Sequence, residues 1–109
     1  MSTITFKRGD TLRLAFKFTN ADTSVHDLTG VTFRLEVRNQ ARAVKAAVAS
    51  GSGIEVDLVT GIATVIVADS VTASFELQPH FTDIELTYPN GDVVSSETIT
   101  INVVEDFTI

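Results

Sequence analysis

The sequence contains no cysteine, which excludes disulfides, thiolate nucleophiles and cysteine-based metal sites and leaves the redox compartment unread. No apolar run approaches the length of a membrane-crossing helix. The opening Met1-Ser2-Thr3-Ile4-Thr5-Phe6-Lys7-Arg8 lacks the continuous apolar segment of a secretory leader. Synthesis and retention in a cytoplasm, until assembly or release, is therefore the expectation. Tryptophan is also missing, and with it the commonest sugar-stacking side chain. Lys and Arg are missing from the whole of residues 46–109. All eight (Lys7, Arg8, Arg13, Lys17, Arg34, Arg38, Arg42, Lys45) lie in the first 45 residues beside four acids, giving +4 there. The remainder holds ten acids, giving −10 and a net charge of −6.

That balance disfavours nucleic acid and anionic membrane surfaces as partners, because both are bound through basic patches. The uneven distribution can be satisfied in two ways. Cross-strand pairs inside one molecule would do it, as would molecules stacked basic side to acidic side. Exposed pairs contribute little, which favours the first way. The second predicts self-association that weakens with salt.

What is present is alternation. The chain of 109 residues is expected to form one domain, 1–109, burying about 65% of the surface its unfolded form exposes. Val31, Phe33, Leu35 and Val37 alternate with Thr32, Arg34, Glu36 and Arg38, the period of a strand with one buried face. Asp27-Leu28-Thr29-Gly30 precedes it as a turn, with Asp27 bonding downstream backbone and Gly30 free to take a positive φ. Thr3–Lys7 is a short strand, turned by Arg8-Gly9-Asp10. Thr11–Thr19 places Leu12, Leu14, Phe16 and Phe18 inward and Arg13, Ala15 and Lys17 outward. Arg13, Lys17, Arg34 and Arg38 would form a basic stripe if these two strands were neighbours.

Residues 41–50 fit either a helix or a strand. An irregular edge strand is the preferred reading, with Arg42 and Lys45 as charges that discourage edge pairing. Ile54–Leu58 and Ile62–Ala68 read as a hairpin around Val59-Thr60-Gly61, with Ile54, Val56 and Leu58 inward and the second arm buried on both sides. Asp69–Leu77 reads as a helical turn capped by Asp69, Ser70 or Thr72, with Phe75 and Leu77 plugging the core and Pro79 closing it. Phe81–Tyr88 is a strand with Ile84, Leu86 and Tyr88 inward, followed by a Pro89-Asn90-Gly91 turn. Asp92–Val104 is a last strand, or two broken near Ser95-Ser96. Six of the seven phenylalanines fit core positions. Seven to eight strands with regular turn signals predict an all-β, antiparallel sandwich with one helical turn near residues 69–77.

Little here points to catalysis. Arg8-Gly9-Asp10 is an integrin-type tripeptide, but Gly-Asp between strands is what a turn needs. His26 and His80 are too few and too scattered for a metal site, and solvated loop positions are expected for both. The carboxylate pairs Glu55/Asp57 and Asp83/Glu85 each point from one sheet face, and Glu105/Asp106 are adjacent. An acid or base would need a cleft to raise its pKa, and no cleft-forming insertion is visible.

The order of motifs resembles the small Ig-like β-sandwich proteins of tailed bacteriophages, which include the N-terminal domain of phage baseplate upper proteins. Arg8-Gly9-Asp10-Thr11 opens the series, and Asp27-Leu28-Thr29-Gly30 runs into Leu35-Glu36-Val37-Arg38. Thr60-Gly61, Thr72, Phe81-Thr82-Asp83-Ile84 and Asn90-Gly91 follow, so the resemblance spans Thr3 to Thr108. Pro79-His80 stands where the family often has a glycine. No long C-terminal extension of the fibre- or receptor-binding kind follows, which points to a connector or accessory role. The resemblance implies a non-enzymatic virion component without cofactors, present in several copies at the neck, tail or baseplate. It would be made in the bacterial host cytoplasm and act by docking to copies of itself and to other virion proteins. Arg13, Lys17, Arg34, Arg38, Glu55, Asp57, Asp83 and Glu85 are the candidate docking residues, and Val103–Ile109 is a candidate for strand pairing between subunits. The rival class is an Ig-like binding module for carbohydrate or a cell-surface protein.

Overall fold

The computed structural model describes residues 2–107. The alternating segments become β1 (Ser2–Lys7), β2 (Leu12–Lys17), β3 (Thr32–Arg38), β4 (Val44–Ser50), β5 (Gly53–Asp57), β6 (Ile62–Val67), β7 (Pro79–Thr87), β8 (Val93–Ser95) and β9 (Ile99–Val104). One helical turn, α1 (Asp69–Thr72), follows β6. Hydrogen bonding runs β1-β9-β7-β3-β4-β5-β6-β2, with β8 also on β7. The segment that could have been helix or strand is β4, and the expected last strand is split into β8 and β9.

The path folds over at β4–β5, where only Ala49↔Gly53 and Ser50↔Ile54 pair, in parallel. Gly53 permits the crossing. Its φ is +99°, and a Cβ there would stand 2.5 Å from Val48 Cγ1, a conformation and a clearance that only glycine satisfies. Two layers result, β1-β9-β7-β3-β4 and β5-β6-β2. Placing the second, fifth and sixth strands in one layer and the third, seventh and last in the other is the distribution of an Ig-like sandwich. The pairing is antiparallel except at β4–β5 and between β1 and β9.

One core lies between the layers. Phe33, Leu35 and Val37 of β3, Ile84 and Leu86 of β7 and Ile101 and Val103 of β9 meet Leu12 of β2, Ile54 of β5 and Ala63, Val65 and Val67 of β6. Burying each large apolar side chain of this kind contributes about 1.5–3 kcal/mol before entropy is counted. The Asp27–Gly30 turn forms as its chemistry dictates. Asp27 Oδ1 accepts from Thr29 N at 3.0 Å, Leu28 is buried, and Gly30 takes φ +76° against Pro89.

Several expectations are corrected. Leu58 (53% exposed) and Leu77 (49% exposed) leave the core, because the strand before Leu58 ends at Asp57 and α1 ends before Leu77. The outer side of β6 is only half-buried, at Ile62, Thr64 and Ile66. None of Asp69, Ser70 and Thr72 caps α1, whose N-cap is Ala68 without a side-chain bond. Thr72 is buried instead, and its Oγ1 donates to the Asp10 carbonyl at 2.6 Å, tying the helical turn to the Arg8-Gly9-Asp10 turn. Five phenylalanines reach the core, whereas Phe81 and Phe107 are exposed. Arg42 sits in the β3–β4 turn with φ +66°, and Lys45 reaches Glu76 Oε1 at 3.3 Å, so neither guards an edge as expected. Thr108 and Ile109, the end of the expected pairing segment, lie outside the described residues.

Candidate docking faces

β3 and β7 are neighbours, so their outward residues make one surface: Arg34 lies opposite Glu85, Glu36 opposite Asp83 and Arg38 opposite Phe81. Glu36 is clamped in the middle of its own strand. Arg38 Nη2 donates to Glu36 Oε1 at 2.9 Å and Arg34 Nη2 to Glu36 Oε2 at 3.0 Å. The hydrogen bond from Arg38, with the Arg34 charge behind it, holds the Glu36 carboxyl below the usual carboxylate range. Arg38 Nη1 also donates to the Arg42 carbonyl at 2.8 Å, fixing the β3–β4 turn at the rim. With Asn39, Gln40, Arg42 and Thr98, these residues line an open groove of about 720 Å³. The groove therefore offers charged and polar contacts.

The other outward face belongs to β2, β6 and β5. Lys17 and Ala15 of β2 lie opposite Ile62 and Thr64 of β6, which in turn lie opposite Asp57 and Glu55 of β5. Arg13 lies opposite Ile66. Asp57 has a structural task as well, because its Oδ1 accepts from Val59 N at 2.9 Å and closes the β5–β6 turn.

The eight candidate residues therefore fall into two groups of four, one on each face of the sandwich. The expected basic stripe does not form. Arg13 and Lys17 point away from the β5-β6-β2 layer, and Arg34 and Arg38 point away from the other layer, with the core between them. Alternation in the sequence shows that a side chain points outward; it does not show from which layer. Glu36 and Phe81 were missed, although each shares its face with a candidate two residues away. Ile62 and Ile66 were missed because their strand read as buried on both sides.

Both histidines differ from the solvated loop residues expected. His26 is half-buried, its Nδ1 2.8 Å from Asn20 Oδ1 and its Nε2 2.9 Å from the Tyr88 hydroxyl. His80 is fully buried on β7, stacked on Phe75 at 4.9 Å. Its Nδ1 donates to the Gln78 carbonyl at 3.0 Å, and its Nε2 faces Glu76 Oε1 at 3.6 Å. The inward parity of Ile84 and Leu86, carried back along β7, was a signal in the sequence that would have placed it and was not used. Glu76 Oε2 accepts from Asn39 Nδ2 at 2.6 Å, and this bond, with Lys45 beyond it, holds the Glu76 carboxyl below the usual range. Among the described residues, no group of three or more His, Cys, Asp and Glu side chains is placed to hold a metal ion.

Two solved structures align with most of the chain. Murine CRIg aligns over 96% of this chain and 94% of its own, at 11% identity and a TM-score of 0.48. Drosophila OTK extracellular domains 3-5 align over 97% of this chain at 14% identity and a TM-score of 0.46, and this chain spans only 33% of that one. No curated protein matches the sequence. The family model of the BppU N-terminal domain matches residues 1–109, the whole length of the chain. The chain therefore belongs to the family of the N-terminal domain of baseplate upper proteins, a structural domain of the phage baseplate.

Proposed function

We propose that this chain is a non-enzymatic docking block of a tailed phage or prophage particle, holding its place at the baseplate, tail or neck by contact. Its partners are neighbouring virion proteins and further copies of itself, and residues 1–109 act as one unit. The observation that carries this reading is the β3–β7 groove, where charged side chains stand in two registered rows on a rigid sheet. Three cations (Arg34, Arg38, Arg42) and three acids (Glu36, Asp83, Glu85) line it, a surface suited to polar, orientation-specific contact with a neighbouring protein. Family membership supports the virion setting, and the acidic net charge supports protein partners over nucleic acid.

The test is incorporation. Purified particles should contain the protein, and Arg34→Glu/Arg38→Glu should lower its amount per particle, with a melting curve that is lowered by the loss of both partners of Glu36 and still shows a folded protein at the temperature of assembly. Particles that lack the wild-type protein would overturn the virion reading. Undiminished incorporation of the double variant would remove the groove from it.

A further inference from the structure

The outer face of β5-β6-β2 has a layout that the groove does not. Ile62, Thr64 and Ile66 run along its midline, half-buried, pointing away from the core that takes Ala63, Val65 and Val67. On one side stand exposed Arg13 and Lys17, and on the other exposed Glu55 and Asp57. Cations and acids are thus separated by a whole strand, about 9–10 Å from backbone to backbone at the usual spacing, and no ion pair among the described residues bridges them. Among the described residues, Arg13, Lys17 and Glu55 enter no ion pair or side-chain hydrogen bond.

We propose that a second copy of this chain docks on this face, related by a twofold axis that runs parallel to the strands over β6. That rotation lays β2 of one copy over β5 of the other. Lys17 then meets Asp57 of the second copy, Glu55 of the second copy falls between Arg13 and Lys17, and Ile62 and Ile66 meet their own counterparts. Each contact occurs twice, as an isologous interface requires. A twofold perpendicular to the strands would instead lay β2 on β2 and oppose like charges. The face carries two cations and two acids and is neutral, whereas the chain carries −6, so approach along this face avoids the general repulsion. Two strands of six residues and one of five offer roughly 300 Å² per copy, against about 800 Å² in a standard interface, so the dimer is weak and builds with concentration. The inference rests on the reading that the domain docks to copies of itself, and it names the surface.

Sedimentation of the full chain from about 10 µM to 1 mM, at low and high salt, tests it. The expected result is a monomer–dimer equilibrium weakened by salt, and weakened about tenfold or more in Arg13→Glu/Lys17→Glu. Mixing that variant with Glu55→Lys/Asp57→Asn, in which the position-57 side-chain oxygen can still accept from Val59 N, should restore a mixed dimer, since no contact then joins like charges. Melting curves of the variants check that they fold. A wild-type monomer throughout, or a dimer indifferent to Arg13→Glu/Lys17→Glu, would overturn the inference. If Arg34→Glu/Arg38→Glu dissolved the dimer instead, self-docking would stand and this surface would be wrong. Particles without the protein would overturn the virion role while leaving the dimer as measured.

Discussion

The two outer faces of the sandwich carry the same numbers of candidate charges and arrange them oppositely. On β3 and β7, unlike charges are neighbours, as in Arg34 beside Glu36 and across from Glu85. On β5-β6-β2, they are held apart by the isoleucines of β6. Neighbouring charges are largely compensated inside one molecule, and separated ones are compensated only by something that arrives from outside. A count of charges, or even a map of which ones are exposed, would miss this difference. It lies in strand order.

The comparison breaks most completely if the layers lose their separate places. Gly53→Ala forces a Cβ to 2.5 Å from Val48 Cγ1 at φ +99°. It should cost about 2–4 kcal/mol of stability, read from urea unfolding. Next in size is the contrast between charge reversals. Arg13→Glu/Lys17→Glu should weaken self-association about tenfold, or 1.4 kcal/mol, and Arg34→Glu/Arg38→Glu should leave it within about twofold in the same sedimentation assay. A smaller effect concerns acid. The folded pKa of Glu36 lies below its unfolded value, so its stabilisation is full above the unfolded pKa and lost as pH falls through the folded one. Glu76, held by Asn39, behaves the same way. Thermal stability should therefore hold from pH 7 to about 5 and decline below about pH 4, and Glu36→Gln should flatten part of that decline. The smallest effect is Arg34→Ala, expected within about 0.5 kcal/mol of wild type because its partner keeps Arg38 and both side chains reach water.

Much of this molecule was legible in its sequence wherever a residue's own neighbours decide the outcome. Phe33, Leu35 and Val37 announce a one-sided strand, and Asp27 with Gly30 announces the turn before it. The groups that misled depend on distant chain. Arg13 and Arg34 both point outward, but β2 and β3, though consecutive, enter opposite layers, so no local pattern could tell that they diverge. Leu58 looked like the third inward residue of β5, until Asp57 closed the turn on itself. His80 stood beside a proline, a cue for a loop, yet Pro79 opens β7 and sends the ring inward onto Phe75. The groove itself required knowing that β7 returns beside β3, a pairing between residues 32–38 and 81–87.

The parallel seam between β1 and β9 bears on the time course of folding. Ser2 pairs with Ile99 and Lys7 with Val104, so β1 waits through the synthesis of some ninety further residues before β9 covers its edge. Pairings that distant in sequence place all-β domains among the slow folders, at roughly milliseconds to seconds. The β5-β6-β2 layer needs nothing beyond residue 67 for its own ladder. During synthesis, one half of the sandwich therefore has all its strands while the other still lacks three.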